Sequence, residues 1–208
     1  MKEHHDRLAW ENDYSKRGRL WGGAVTDLPD LPAGSNVLEL GCGSGKTMSA
    51  MIRNGWQVTG VDFSAPACVM CRQAVGLEAN DVAVADAREL PFRDQVFDAV
   101  FAAHVLGHLS AGGRIQIVSE ISRVLKKSGL LFFRAFSTGD FRFGTGTEIE
   151  PGTYMRGTGI QTHYFGKEEV DYLLSELVPV SRETHRWIMR VRGQDYNREE
   201  IIAVFTRS

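Results

Sequence analysis

The chain has 208 residues, 43% of them hydrophobic, with 24 basic and 26 acidic side chains and a formal charge of −2. That length holds one domain with a full core and little of a second, and the near-balanced charge argues against a general nucleic-acid binder. No run approaches the roughly 20 apolar residues of a membrane span, and the opening Met-Lys-Glu-His-His-Asp has no apolar core behind it of the kind a secretory signal carries.

Residues 1–34 precede the first strand. Trp10, Tyr14, Leu20 and Trp21 stand out in an otherwise polar stretch, but with Leu8 they make no clean helical stripe, so the segment reads as loop-rich. Pro29, Pro32 and Gly34 punctuate the approach to the strand.

Residues 36–45, Asn-Val-Leu-Glu-Leu-Gly-Cys-Gly-Ser-Gly, carry the strongest signal. Val37, Leu38 and Leu40 make the short apolar run of a strand buried on both faces of a parallel sheet. Gly41, Gly43 and Gly45 open a tight turn with no β-carbons between backbone and ligand, and a helix is expected over 46–53. This is a nucleotide-type site at the carboxyl end of a first strand. Three ligands compete for it. Gly45-Lys46-Thr47 suggests a P-loop, but that motif needs a glycine five residues before Gly45, where Leu40 stands. A dinucleotide fold, and with it a NAD-dependent oxidoreductase, needs a third glycine at 46, where Lys46 stands.

The third reading fits these residues. Glu-Leu-Gly-Cys-Gly-Ser-Gly resembles the first motif of class I S-adenosylmethionine-dependent methyltransferases, of the small-molecule, methyltransferase type 11-like kind. The resemblance implies an α/β fold: a Rossmann-like three-layer α/β/α sandwich around a mostly parallel seven-stranded sheet, closed by a C-terminal antiparallel hairpin. It sets Glu39, Gly41, Cys42 and Gly43 beside the methionine part of S-adenosyl-L-methionine. A carboxylate at Glu39 attracts an ammonium and a sulfonium, whereas it would repel a pyrophosphate.

Residues 57–62 read as strand two. Asp62 lies 23 residues after Glu39, near the offset at which an acid takes ribose hydroxyls; the alternative is a simple helix cap. Phe63 can lie against the adenine. Ser64 caps the next helix, with Pro66 in its first turn. The C-x-x-C spacing of Cys68 and Cys71 would suit redox or zinc chemistry, but zinc needs a second ligand pair that the sequence lacks. Both therefore read as small residues on a helix. With Cys42 the cysteines number three, an odd count that points to a reducing cytoplasm.

Residues 81–86 read as strand three, after which Asp86 would accept from the adenine amino group and the Ala87 amide donate to a ring nitrogen. Asp86-Ala-Arg-Glu-Leu-Pro-Phe is again similar to the family's motif. Residues 97–103 read as strand four, with Asp98 a structural residue at its start. The stretch from Ala103 through His104 to His108 resembles the family's fourth motif, which lies beside the transferable methyl. His104 and His108 are the candidate general bases, the alternative being packing or helix-start histidines. An amphipathic helix is expected over 111–127 with Gly129 after its end, and strand five over 130–136.

Residues 137–166 break the alternation with seven glycines and five aromatics. A loop this long in a compact domain is functional or mobile. It reads as an insertion over the acceptor, contributing Tyr154, Arg156, His163 and Tyr164, with Arg156 suited to an acidic acceptor. Family resemblance gives the N-terminal segment the role of a lid, with Tyr14 toward the cofactor and Trp21 toward the acceptor. The alternative for the insertion is a surface loop whose aromatics pad the sheet. A helix from 167 and strands over 180–192 and 199–206, turning through Gly193 and Asn197, complete a single domain over 1–208 with its cofactor-binding core at 35–136. The implied reaction is in-line methyl transfer to a small molecule, with S-adenosyl-L-homocysteine as co-product and no metal. Its rivals are methylation of a protein or nucleic acid, and a cofactor-binding regulator without transferase activity.

Overall fold

The computed structural model describes residues 2–18, 28–76 and 81–208; Leu20 and Trp21 lie outside the described residues. The strands are β1 (Asn36–Leu40), β2 (Gln57–Asp62), β3 (Val82–Val84), β4 (Phe97–Ala103), β5 (Leu125–Phe136), β6 (Thr147–Glu150), β7 (Thr153–Met155), β8 (Gln161–His163), β9 (Val178–Val191) and β10 (Gln194–Thr206). Seven of them form one sheet in the order β3-β2-β1-β4-β5-β10-β9. The first five are parallel, and β10 runs antiparallel to both β5 and β9. This is the Rossmann-like architecture with a C-terminal antiparallel hairpin that the sequence implies.

Period-two alternation along the central strands divides the core between the sheet's two faces. Val37, Ala99 and Phe101 pack with Met48 and Met51 of α2 (Lys46–Arg53) and with Cys68 and Cys71 of α3 (Ala65–Val75). Leu38, Leu40, Val100 and Phe133 face the other way, toward Ile117 and Ile121 of α4 (Ala111–Val124) and Val170 of α5 (Lys167–Leu173). Each such fully buried aliphatic side chain contributes about 1.5–3 kcal/mol. The chain steps outward from β1 to β2 and β3, then returns to β4 on the other side of β1. The carboxyl ends of β1 and β4 therefore flank the point where the winding reverses, which is where open α/β sheets bind ligands.

Several boundaries differ from the sequence reading. Residues 2–17 form a helix, α1 (Lys2–Arg17). A Trp10–Tyr14 pair, four residues apart with ring centroids at 5.9 Å, was the available signal. One buried aromatic among polar residues makes no stripe, so periodicity missed it. The helix α4 stops at Val124, and the left-handed residue beyond it is Ser128 (φ 60°), three residues past Leu125, rather than Gly129. Lys126 is drawn instead to Asp98 at 2.8 Å, which gives Asp98 the structural role expected of it. The hairpin turns at Arg192 and Gly193, both at positive φ, as a two-residue loop requires. Asn197 lies within β10, opposite Ile188.

The insertion is folded. β6, β7 and β8 form a separate three-stranded antiparallel sheet, which provides backbone partners that a 30-residue loop would otherwise lack. It is anchored to the main sheet where Phe165 N–H donates to Phe136 C=O at 2.9 Å and Thr138 N–H to Phe165 C=O at 3.2 Å. Among the described residues no helix is long and apolar enough to cross a membrane.

Candidate active site

The glycine turn after β1 is closed by its neighbours. Gly41 has φ 65°, and a β-carbon there would stand 2.7 Å from Val105 Cγ2, so the turn touches the segment after β4. Gly43 has φ 53°, and a β-carbon there would stand 2.6 Å from Tyr14 Oη. Tyr14 thus lies on the turn, held by α1, which also packs on α3. Burial, with the charges of Asp62 and others added, pushes the Tyr14 phenol far above its ordinary range.

Two buried carboxylates meet at this turn. Asp62 at the end of β2 accepts from Gly43 N–H at 3.0 Å and from Ser64 N–H at 2.9 Å. Burial raises its pKa to about 6 against the pull of those two bonds. Asp62 therefore ties the turn to β2, a task the sequence did not disclose. Ser64 caps α3 by accepting from Ala67 N–H at 3.4 Å. Glu39 is 6% exposed, and burial raises its carboxyl well above the usual range despite hydrogen bonds from the Thr47 side chain and the Met48 amide. Its Oε2 has no hydrogen-bond partner among the described residues. A buried carboxylate with one open oxygen beside a glycine cradle fits a ligand with a cationic ammonium.

Farther along the same edge, Phe63 and Ala87 are half-buried and Ala103 is exposed. Asp86 differs from expectation: its two oxygens already accept from Arg88 Nε at 3.0 and 3.1 Å, and Oδ1 also accepts from Arg88 N–H at 2.9 Å. The three cysteines are buried and free. Among the described residues no group of His, Cys, Asp and Glu is arranged to hold a metal ion.

The segment after β4 separates the two histidines. His104 has a left-handed backbone (φ 60°), and its N–H donates to Arg134 C=O at 2.7 Å. Its ring lies on Phe136 with centroids at 4.4 Å, and Nε2 stands 3.3 Å from Glu200 Oε2. His104 Nδ1 is buried and has no hydrogen-bond partner among the described residues. Glu200, 1% exposed, also accepts from Arg134 and from His185 Nδ1 at 2.9 Å. Burial would raise its carboxyl, but the bonds from His104, Arg134 and His185 outweigh it and hold the group well below the usual range. Sequence reasoning missed Glu200. Its one trace was the i, i+2 spacing of Arg198 and Glu200, which puts two opposite charges on the same face of β10.

His108 is fixed differently. Its Nδ1 lies 2.7 Å from Gln161 C=O, Gln161 Nε2 donates back to His108 C=O at 3.0 Å, and the ring meets Trp10 edge-on at 4.9 Å. Because a carbonyl only accepts, Nδ1 carries the proton. Burial pulls the His108 pKa down to about 4, so the ring is neutral.

The insertion residues also divide. His163 is 3% exposed, with Nδ1 2.7 Å from Thr153 Oγ1 and Nε2 2.7 Å from Glu169 Oε1. Both ring nitrogens are occupied, so His163 pins the small sheet to α5. Tyr164 is 1% exposed inside a ring cluster with Phe136, Phe143 and Tyr154. Tyr154 and Tyr164 therefore form the floor of the insertion rather than polar arms. Arg156 remains half-exposed, its guanidinium 3.5 Å from Thr162 Oγ1.

A Rossmann-like sheet whose switch point carries a carboxylate-flanked glycine turn, touched by the histidine-bearing segment after β4, is the frame expected of the methyltransferase class. Residues 38–133 match the family described as a methyltransferase domain, and the chain carries a class I S-adenosylmethionine-dependent methyltransferase domain of that family. It is 32% identical over 124 residues, 59% of this chain and 29% of the relative, to a tRNA (carboxymethyluridine(34)-5-O)-methyltransferase of Arabidopsis thaliana. It is 29% identical over 169 residues, 72% of this chain and 52% of the relative, to the tRNA N(3)-methylcytidine methyltransferase Mettl2 of Drosophila melanogaster. The chain spans about half or less of the length of these curated relatives. In fold it is similar to a SAM-dependent methyltransferase of Methanosarcina mazei, with TM-score 0.74, 22% identity, and coverage of 85% of this chain and 94% of that one.

Proposed function

We propose that the protein transfers the methyl group of S-adenosyl-L-methionine to a small-molecule acceptor. The observation that carries this reading is the open Oε2 of buried Glu39 beside the Gly41–Gly43 turn, on the same sheet edge as His104. Glu39, Gly41, Cys42, Gly43 and Tyr14 would hold the methionine part of the cofactor, and Asp62 the ribose. Phe63, Asp86 and Ala87 would hold the adenine, with Ala103 beside the sulfur. The bound cofactor supplies an electrophilic methyl on a positively charged sulfur.

The chain's own part is alignment of the acceptor, exclusion of water and, where the nucleophile carries a proton, its removal. His104 is arranged for that last task. The Glu200 carboxylate only accepts, so His104 Nε2 carries the ring proton of the neutral form and Nδ1 presents a lone pair. α1, through Trp10, and the insertion, through Gln161, both contact His108 beside this edge.

Transfer to a tRNA base is the second reading, favoured by the names of the Arabidopsis and Drosophila relatives. One experiment separates the two: incubation of the protein and cofactor with a metabolite extract or with total tRNA, followed by mass spectrometry. A small molecule heavier by one methylene, together with S-adenosylhomocysteine, is the expected result. Methylated tRNA with unmodified metabolites would overturn the small-molecule reading, and cofactor binding without S-adenosylhomocysteine release in either mixture would favour a regulator.

A further inference from the structure

We propose that the acceptor bears an anionic group, a carboxylate or phosphate, which is seated among Arg142, Arg156 and Arg198 where the insertion meets β10. This rests on the methyl-transfer reading and specifies the class of molecule that site takes. Arg198 is 6% exposed, its Nε donates to Asp140 Oδ2 at 2.6 Å, and its guanidinium lies over Phe136 at 4.4 Å, Trp187 at 5.3 Å and Phe141 at 5.6 Å. Its Nη2 is buried with no hydrogen-bond partner among the described residues. A buried donor on a charged group that is left open is costly unless something fills it.

Two more guanidiniums lie within electrostatic reach. Arg142, over Phe141 at 5.3 Å, forms no ion pair among the described residues, and burial together with the charges of Arg198 and Arg156 lowers its pKa. Arg156 forms no ion pair among the described residues either, and its charge reaches Tyr164 and His108. One carboxylate, Asp140, lies in the cluster. It is engaged by Arg198 and by the backbone N–H groups of Arg142 and Glu199. Arg142 and Arg198 share the Phe141 ring, the charges of Arg198 and Arg156 both act on Arg142, and the arginine fork is shaped for carboxylate and phosphate. The cluster adjoins the proposed site of chemistry, since the Phe136 ring that carries Arg198 also carries His104.

The test is calorimetry of inorganic phosphate and malonate, with neutral malonamide as control, on the full chain saturated with S-adenosylhomocysteine at constant ionic strength. Binding of phosphate or malonate but not malonamide is expected. Arg156→Gln should weaken it about ten-fold, the effect of losing one charge-assisted hydrogen bond. Arg142→Gln combined with Arg156→Gln should abolish it, with homocysteine-cofactor affinity unchanged. Should the double variant not fold, the single variant decides. No anion binding by wild type, or equal binding by wild type and Arg156→Gln, would overturn the proposal. If wild type does not bind S-adenosylhomocysteine, the methyl-transfer reading falls by itself, and the same titration on free protein still decides the anion site.

Discussion

Replacing Gly43 with alanine tests whether α1 is seated on the cofactor turn. At φ 53°, an L-residue pays about 1–2 kcal/mol for the left-handed backbone. The new β-carbon would also stand 2.6 Å from Tyr14 Oη, so the phenol must swing away from a site where it is 6% exposed. Losing part of that burial adds about 1 kcal/mol, a fraction of the ~1.5–3 kcal/mol a buried large side chain contributes. In a Tyr14→Phe background the nearest atom becomes Cζ at 3.6 Å, an ordinary contact, and only the backbone cost remains. Gly43→Ala should therefore cost about 2–3 kcal/mol in wild type and about 1–2 kcal/mol with Phe at position 14, a coupling near 1 kcal/mol. Urea unfolding of the four proteins measures it, and for a chain of this size each kcal/mol appears as about 2–4 °C in Tm. Costs that add to within about 0.3 kcal/mol would refute the contact, and with it the placement of α1 over the turn.

Asp62 should make cofactor binding pH-dependent. Its pKa is raised to about 6, so it is protonated below that pH and a full acceptor above it. S-adenosylhomocysteine affinity should rise with pH through 6 and level off near 7, falling about ten-fold from the plateau by pH 5. Asp62→Asn should flatten this profile, and an unchanged profile would remove Asp62 from the ribose site. Glu200 has the opposite sign: its folded pKa is depressed, so its stabilisation is present above the ordinary value of 4.5 and is lost as pH falls below it. Glu200→Gln leaves Arg134, His104 and His185 facing a neutral amide and should cost about 2 kcal/mol at pH 7, below the usual cost of breaking a buried pair because these partners are 31–44% exposed. The gap to wild type should narrow below pH 4.5. An equal gap at pH 3 and pH 7 would show that charge plays no part.

The sequence by itself determined the elements whose chemistry is local. α2, β2 and β4 begin and end where expected, and β1 holds the apolar run expected of it, because their limits are set by apolar runs, glycines and caps within a few residues of each other. The glycine turn with Glu39, and Asp62 at the next strand end, were legible for the same reason: spacing along one chain places them on one edge of a parallel sheet. Tertiary structure decided whatever depends on partners distant in sequence. Which ring nitrogen of His104 is engaged rests on Glu200, which is 96 positions away and arrives only when β10 pairs with β5. His163 and Arg156 look equally functional in sequence, yet one is consumed by Thr153 and Glu169 while the other forms no ion pair among the described residues. The small sheet β6–β8 is built from strands of three or four residues whose pattern is too short to register before they pair. A side chain's residue type sets what it can donate or accept, but only the packed fold settles which of those capacities are already spent.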